Sequence, residues 1–159
     1  MNLSLASEST STVEPVQQGH RTGLVTLVFT DIIGSTALKQ QLGDRQAVAL
    51  IQKHHAVVRE LVASFEDARV ISTAGDSFFL VFAKLSDAVK FALQLLTQLR
   101  DLAQNTGHSL ADRVGIHVGE MVIQEEAGAA QPEDLYGIHV GTCARVMGLA
   151  GAMMWRRCI

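Results

Sequence analysis

V-T-L-V-F-T-D-I-I-G-S-T, residues Val25 to Thr36, is apolar and β-branched in its first half and ends on a carboxylate followed by a Gly-Ser-Thr turn. The first half predicts a buried strand, and the residues after Gly34 open a helical pattern. Asp31, at the exit of that strand, is held on rigid backbone. The free amides at the start of the next helix face any anion brought up beside it. Carboxylate and amides together suit a metal-bound phosphate. The same residues also describe a plain turn former or a helix cap, so the rest of the chain has to decide.

Toward the N-terminus, Met1 to Gly23 is rich in Ser, Thr, Gln and Glu without periodicity and reads as a flexible leader. Toward the C-terminus, Leu42-Gly43-Asp44 punctuates. Ala47, Ile51, His54, Val58, Leu61, Val62 and Phe65 then mark one face of a long amphipathic helix. His54 and His55 are adjacent, so they point about 100° apart and do not chelate one ion as an i, i+4 pair can. They read as ordinary helix residues. Val70 to Thr73, Ala74-Gly75-Asp76 and Ser77 to Phe82 read as strand, tight turn and strand, a hairpin. Its turn presents a second acid, Asp76, which taken singly is a turn residue.

Ser86 is placed to cap the next helix, whose apolar stripe is Ala88, Phe91, Ala92, Leu95, Leu99 and Leu102. Asn105 to Ala111 is a loop. Val114, Ile116 and Val118 then alternate up to Gly119-Glu120, and Met121-Val122-Ile123 resumes as a strand or hairpin arm. His117 falls in that alternation facing away from the core set and reads as structural. A loop from Glu125 to Glu133 leads to Asp134-Leu135-Tyr136-Gly137 and a short helix through Cys143-Ala144-Arg145-Val146-Met147. The order is β-α-β-β-α-β. That predicts an α+β class, ferredoxin-like fold with an antiparallel-rich sheet and helices packed on one face. In such an order the first strand lies beside the hairpin, and Asp31 can approach Asp76.

Composition narrows the function classes. The chain has 159 residues, 48% of them hydrophobic, enough for one domain with its own core. With 13 basic and 16 acidic side chains, a net charge of -3 and no block of one sign, nothing points to nucleic acid or an anionic membrane surface. No apolar run approaches the roughly 18 residues of a membrane span, and the first dozen residues lack the pattern of a signal peptide. Cys143 and Cys158 sit in no metal or redox spacing and read as reduced thiols. A cytoplasmic protein is the expectation.

Two carboxylates about 4 Å apart repel by about 4 kcal/mol at an effective dielectric of 20, so a bare pair tends to hold a proton or a cation. With phosphate-binding amides next to them, a divalent ion satisfies both, and oxygen ligands select Mg²⁺ or Mn²⁺ over zinc. Two such ions can activate a hydroxyl and neutralise a leaving polyphosphate.

Four motifs in order, F-T-D-I-I-G-S-T at 29 to 36, A-G-D-S-F at 74 to 78, R-V-G-I-H-V-G-E at 113 to 120 and D-L-Y-G-I-H-V-G-T-C-A-R at 134 to 145, resemble the catalytic domain of class III adenylate and guanylate cyclases. The resemblance covers residues 24 to 152. It implies a head-to-tail homodimer with sites at the interface, converting a nucleoside triphosphate to a 3′,5′-cyclic nucleotide and pyrophosphate. By the same resemblance, Asp31, Asp76 and the carbonyl of Ile32 hold two Mg²⁺ or Mn²⁺ ions, and Ile33, Gly34, Ser35 and Thr36 cradle the triphosphate. Asp134 of the partner reads the adenine amino group, favouring ATP over GTP, and Arg145 of the partner steadies transition-state charge.

Three positions depart from the family pattern. Ser72 stands where the family has its base-reading lysine, and serine has a shorter reach and no charge. Gly141 stands where the family has a ribose-orienting asparagine. After Gly151-Ala152 the chain gives M-M-W-R-R-C-I instead of a further strand, so 153–159 reads as an aberrant tail and the domain as incomplete at its C-terminus. Impaired turnover is the expectation. The alternative is a catalytically silent relative that binds nucleotide or dimerises.

Overall fold

The computed structural model describes residues 20–124, 135–136 and 138–150. In chain order the elements are β1 (His20–Ile32), α1 (Ser35–Leu42), α2 (Asp44–Ala63), β2 (Ala68–Ala74), β3 (Ser77–Phe82), α3 (Leu85–Thr106), β4 (Asp112–Gln124), β5 (Leu135–Tyr136) and α4 (Ile138–Ala150). The strands form one sheet in the order β2-β3-β1-β4-β5, every neighbouring pair antiparallel. Each β-α-β crossover skips one strand: β3 lies between β1 and β2, and β1 between β3 and β4. This is the split arrangement that the element order predicts.

Side chains alternate across the sheet, and each face has its own core. Val28, Ile32, Phe78, Leu80 and Phe82 point to one face. They meet Val58, Leu61 and Val62 of α2 and Phe91, Leu95 and Leu99 of α3. Removing one of these side chains, such as Phe91, costs about 3–5 kcal/mol. On the other face Leu27, Phe79 and Met121 pack with Cys143 of α4. The two long helices of the βαββαβ unit therefore share one face as expected, while the short α4 that follows covers the opposite one.

Several boundaries differ from the sequence reading. β1 begins at His20, which pairs with Gln124, so residues 20–23, read as the end of a leader, are the first four residues of the central strand. β4 runs unbroken from Asp112 to Gln124 through Gly119-Glu120, because Gly119 and Glu120 keep their pairing with Val25 and Leu24. Ser86 lies inside α3. The N-cap is Lys84, whose side chain makes no capping bond. Phe65 lies just past α2 and still reaches the core, edge-on to Phe82 with centroids 5.7 Å apart.

Candidate active site

Asp31 and Ser77 face each other across β1 and β3, beyond the Thr30–Phe78 pair, on the face opposite α2 and α3. Ser77 Oγ donates to Asp31 Oδ1 at 2.7 Å. On the other side of β1, Asp31 is paired in register with Arg113 of β4, and the guanidinium donates to Asp31 Oδ2. Both carboxylate oxygens are thus satisfied within the sheet, one by a cation.

Asp76 immediately precedes Ser77 in the two-residue turn of the β2–β3 hairpin. Gly75 has φ +63° and no described non-glycine residue has positive φ, so the turn has its left-handed residue at the first central position only. That is the type II′ pattern, which demands glycine there. The turn sets Asp76 next in the chain to Ser77, whose hydroxyl bonds Asp31. Asp76 Oδ2 is buried and has no hydrogen-bond partner. A buried carboxylate oxygen without a partner is unstable unless a cation or donor meets it. The pair is therefore unevenly served, with Asp31 satisfied and Asp76 open.

After Ile32 the chain turns through Gly34, φ +70°, which is the N-cap of α1. Intrahelical bonding begins with Leu38 N–H to Gly34 O at 2.9 Å, leaving the amides of the first turn as open donors beside the carboxylates. Ile33 is different from the other three loop residues. Its amide already donates to Ala111 O at 2.8 Å, so it anchors the loop to the strand that carries Arg113.

Comparison with known proteins agrees with this geometry. Residues 17–158 match the family model for the adenylate and guanylate cyclase catalytic domain. The chain belongs to that family. The cyclase domain is also 31% identical over 105 residues to an uncharacterised protein of Mycobacterium tuberculosis, covering 66% of this chain and 34% of that protein. Over 89 residues it is 38% identical to receptor-type adenylate cyclase B of Leishmania donovani, covering 56% of this chain and 6% of that one. The chain therefore spans 34% and 6% of these relatives' lengths. Among solved structures, the adenylyl cyclase CyaB from P. aeruginosa superposes with a TM-score of 0.71 at 17% identity, covering 82% of this chain and 74% of that one. At that identity the likeness shows the fold.

The remaining expected site residues of the cyclase domain fall in three places. Ser72 is exposed on β2 just after a bulge, paired with Phe79 and so on the Asp31 face of the sheet. Arg145 is exposed on α4, two residues past the buried Cys143, so its side chain leaves the helix roughly opposite the packed face. Asp134 lies outside the described residues. No helix among the described residues is long and apolar enough to cross a membrane.

Three features of the cyclase domain were not found from sequence. Arg113 was quoted within a motif but given no role, because its contact with Asp31 depends on cross-strand register. His54 is fully buried on α2, and its Nε2–H donates to the equally buried Asp112 Oδ2 at 2.8 Å, tying α2 to the first residue of β4. Burial pushes the Asp112 carboxyl above the usual range, with the His54 hydrogen bond opposing it. His55 stands edge-on to Phe78 with centroids 4.9 Å apart. Burial holds it below the ordinary imidazole range, His54 adds to this, and the Gly75 backbone and Asp76 pull the other way. The reading of these histidines as ordinary helix residues misses that they brace the two strand ends carrying the site. The sequence signal was there, since His54 falls on the apolar stripe and a titratable group on a core stripe needs a partner.

Proposed function

We propose that this chain is a nucleotidyl cyclase that converts ATP, in preference to GTP, to the 3′,5′-cyclic nucleotide and pyrophosphate at the interface of a cytoplasmic homodimer. The observation that carries the reading is the buried, unpartnered Oδ2 of Asp76, the residue before the Ser77 that bonds Asp31. The two carboxylates and the main-chain oxygen of Ile32 would make an all-oxygen donor set, the kind that suits Mg²⁺ or Mn²⁺. When bound, two such ions would supply charge neutralisation at the polyphosphate and activation of the attacking hydroxyl.

The chain's own residues do the rest. The carboxylates fix the cation position, the amides from Gly34 to Thr36 receive phosphate oxygens, and Arg113 holds positive charge beside Asp31. Ser72, exposed on the Asp31 face, takes the base-reading role in this proposal. Asp134 and Arg145 act from the partner subunit on base and phosphate. The preference for ATP rests on Asp134, since the relatives' names include both adenylate and guanylate cyclases.

A second reading, a silent relative that binds nucleotide or dimerises, is favoured by Gly141. A Cβ built there meets nothing within 4 Å, so no neighbouring group takes the place of the family's asparagine side chain on that face of α4. Cyclic AMP and cyclic GMP formation by purified protein with Mn²⁺ and ATP or GTP separates the two. Product lost in Asp76→Ala supports the enzyme, and retained Mn²⁺-dependent ATP binding without product supports the silent relative. Unchanged Mn²⁺-ATP affinity in Asp31→Ala would remove Asp31 from the site.

A further inference from the structure

The face of β4 that carries Arg113 continues as Gly115, His117 and Gly119, and this strip is the seat of α4. A Cβ at Gly115 would lie 2.5 Å from the Met147 backbone nitrogen, and a Cβ at Gly119 would lie 2.7 Å from His139 Nδ1. Neither position admits a side chain without moving the helix. Between them the fully buried Cys143 directs its thiol to the carbonyls of Leu27 and Gly115, each at 3.4 Å. His139, Cys143 and Met147 thus form one ridge at i, i+4 and i+8, lying over the strip.

The one side chain that rises from the strip between the two glycines is His117. Its Nε2 is 2.9 Å from His139 Nδ1, with the rings within 26° of coplanar. One imidazole must donate and the other accept. The bond joins the start of α4 to the middle of β4. On the outer side of the same helix are Gly141 and Arg145, both exposed.

We propose that the His117–His139 hydrogen bond is a latch that sets the roll of α4 on the sheet, making both histidines positioning residues for Arg145. The proposal rests on the cyclase reading of Arg145. Cys143 reaches its two carbonyls only through a weak thiol donor at 3.4 Å, and Met147 meets Gly115 backbone to backbone, so neither resists rotation about the helix axis as strongly as it resists separation. A directional bond at His139 resists rotation. Rolling a helix by about 10° moves groups at its side-chain radius of about 5–6 Å by about 1 Å, and a misplacement of that size can lower a rate by about 10²-fold.

The test compares His139→Leu, which keeps bulk over Gly119 without a polar atom, with His139→Asn, whose amide occupies nearly the position of Nδ1. In the Leu variant kcat should fall about 10- to 100-fold with KM within about twofold, and the Asn variant should recover most of the loss. In an Arg145→Ala background, His139→Leu should cost nothing further. Amide hydrogen exchange should speed up along α4 in the Leu variant and stay unchanged in α2 and α3. Equal losses in Leu and Asn, additive losses with Arg145→Ala, or unchanged α4 exchange would each overturn the proposal. Exchange is read independently of turnover. A wild-type chain with no cyclase activity but faster α4 exchange in the Leu variant would show a latch without a catalytic role, which overturns the proposal through failure of the cyclase reading. Should the Leu variant not fold, His117→Gln combined with His139→Asn rebuilds the bond without imidazoles. Loss of activity in that folded pair would overturn the proposal as well.

Discussion

Breaking the His54–Asp112 pair should be among the most destabilising single changes in this chain. Both side chains are completely excluded from solvent and are joined by the 2.8 Å hydrogen bond. His54→Ala leaves a buried carboxylate without this donor, at a cost of about 3–5 kcal/mol. A chain of this size has about 5–15 kcal/mol of stability in all, so the variant should lose a large part of it. At about 2–4 °C per kcal/mol for a domain of this length, Tm should fall by about 6–20 °C. Urea unfolding followed by far-UV circular dichroism measures it, with an unchanged slope showing that the midpoint shift is a change in stability. The double change His54→Leu with Asp112→Leu replaces charge by packing and should recover to near or above wild type. A His54→Ala cost below about 1 kcal/mol, against the 3–5 expected of a buried pair, would refute the reasoning.

Three further outcomes follow from the same coordinates. Gly141→Asn places a side chain in open space on the face of α4 that carries Arg145; restoring a transition-state donor should raise kcat by about 10²–10³, and a rate no higher than wild type would show that the position is not what limits turnover. Because burial raises the Asp112 pKa above 3.8, the folded state holds that proton more tightly than the unfolded chain. Its contribution to stability is therefore full below pH 3.8 and lost as pH rises through the folded value. Relative to Asp112→Asn, wild type should lose stability over that interval in urea titrations, and a constant difference would contradict the shift. The Cys143 thiol is pushed up to about 11 by burial, so in a Cys158→Ser background iodoacetamide at pH 8 should modify the folded protein at least about 100-fold more slowly than the unfolded chain.

Most of the fold was legible because β1, the β2–β3 hairpin, α2 and α3 each carry a local period of their own. The stripe from Ala88 to Leu99 and the turn at Gly75-Asp76 need no long-range information. The strand end at Asp31 and the turn at Asp76 were legible for a related reason, since a glycine follows the one and precedes the other. What escaped depends on register and on which element lies across the sheet. Nothing local to Arg113 says that Asp31 will stand opposite it, and nothing local to His54 says that Asp112 will be its partner. His117 was correctly placed off the main core face, but that face is itself packed, by a helix whose own pattern gave no hint of where it would dock. The break expected at Gly119-Glu120 failed because glycine was taken as punctuation, whereas here it makes room for His139.

The two carboxylates stand on parts of the sheet with unequal support. Asp31 ends a central strand bonded on both sides, to β3 and to β4, so its position opens to exchange or motion only when the sheet itself does. Asp76 rides on the tip of a hairpin whose outer arm, β2, is the sheet edge and carries a bulge at Val70/Ser72. The pair therefore behaves like a vice with one jaw fixed and one sprung. In the proposed metal site, any adjustment to an ion of different radius, or to the arrival of a second charge, would be taken up by the hairpin tip, with Asp31 as the fixed reference point.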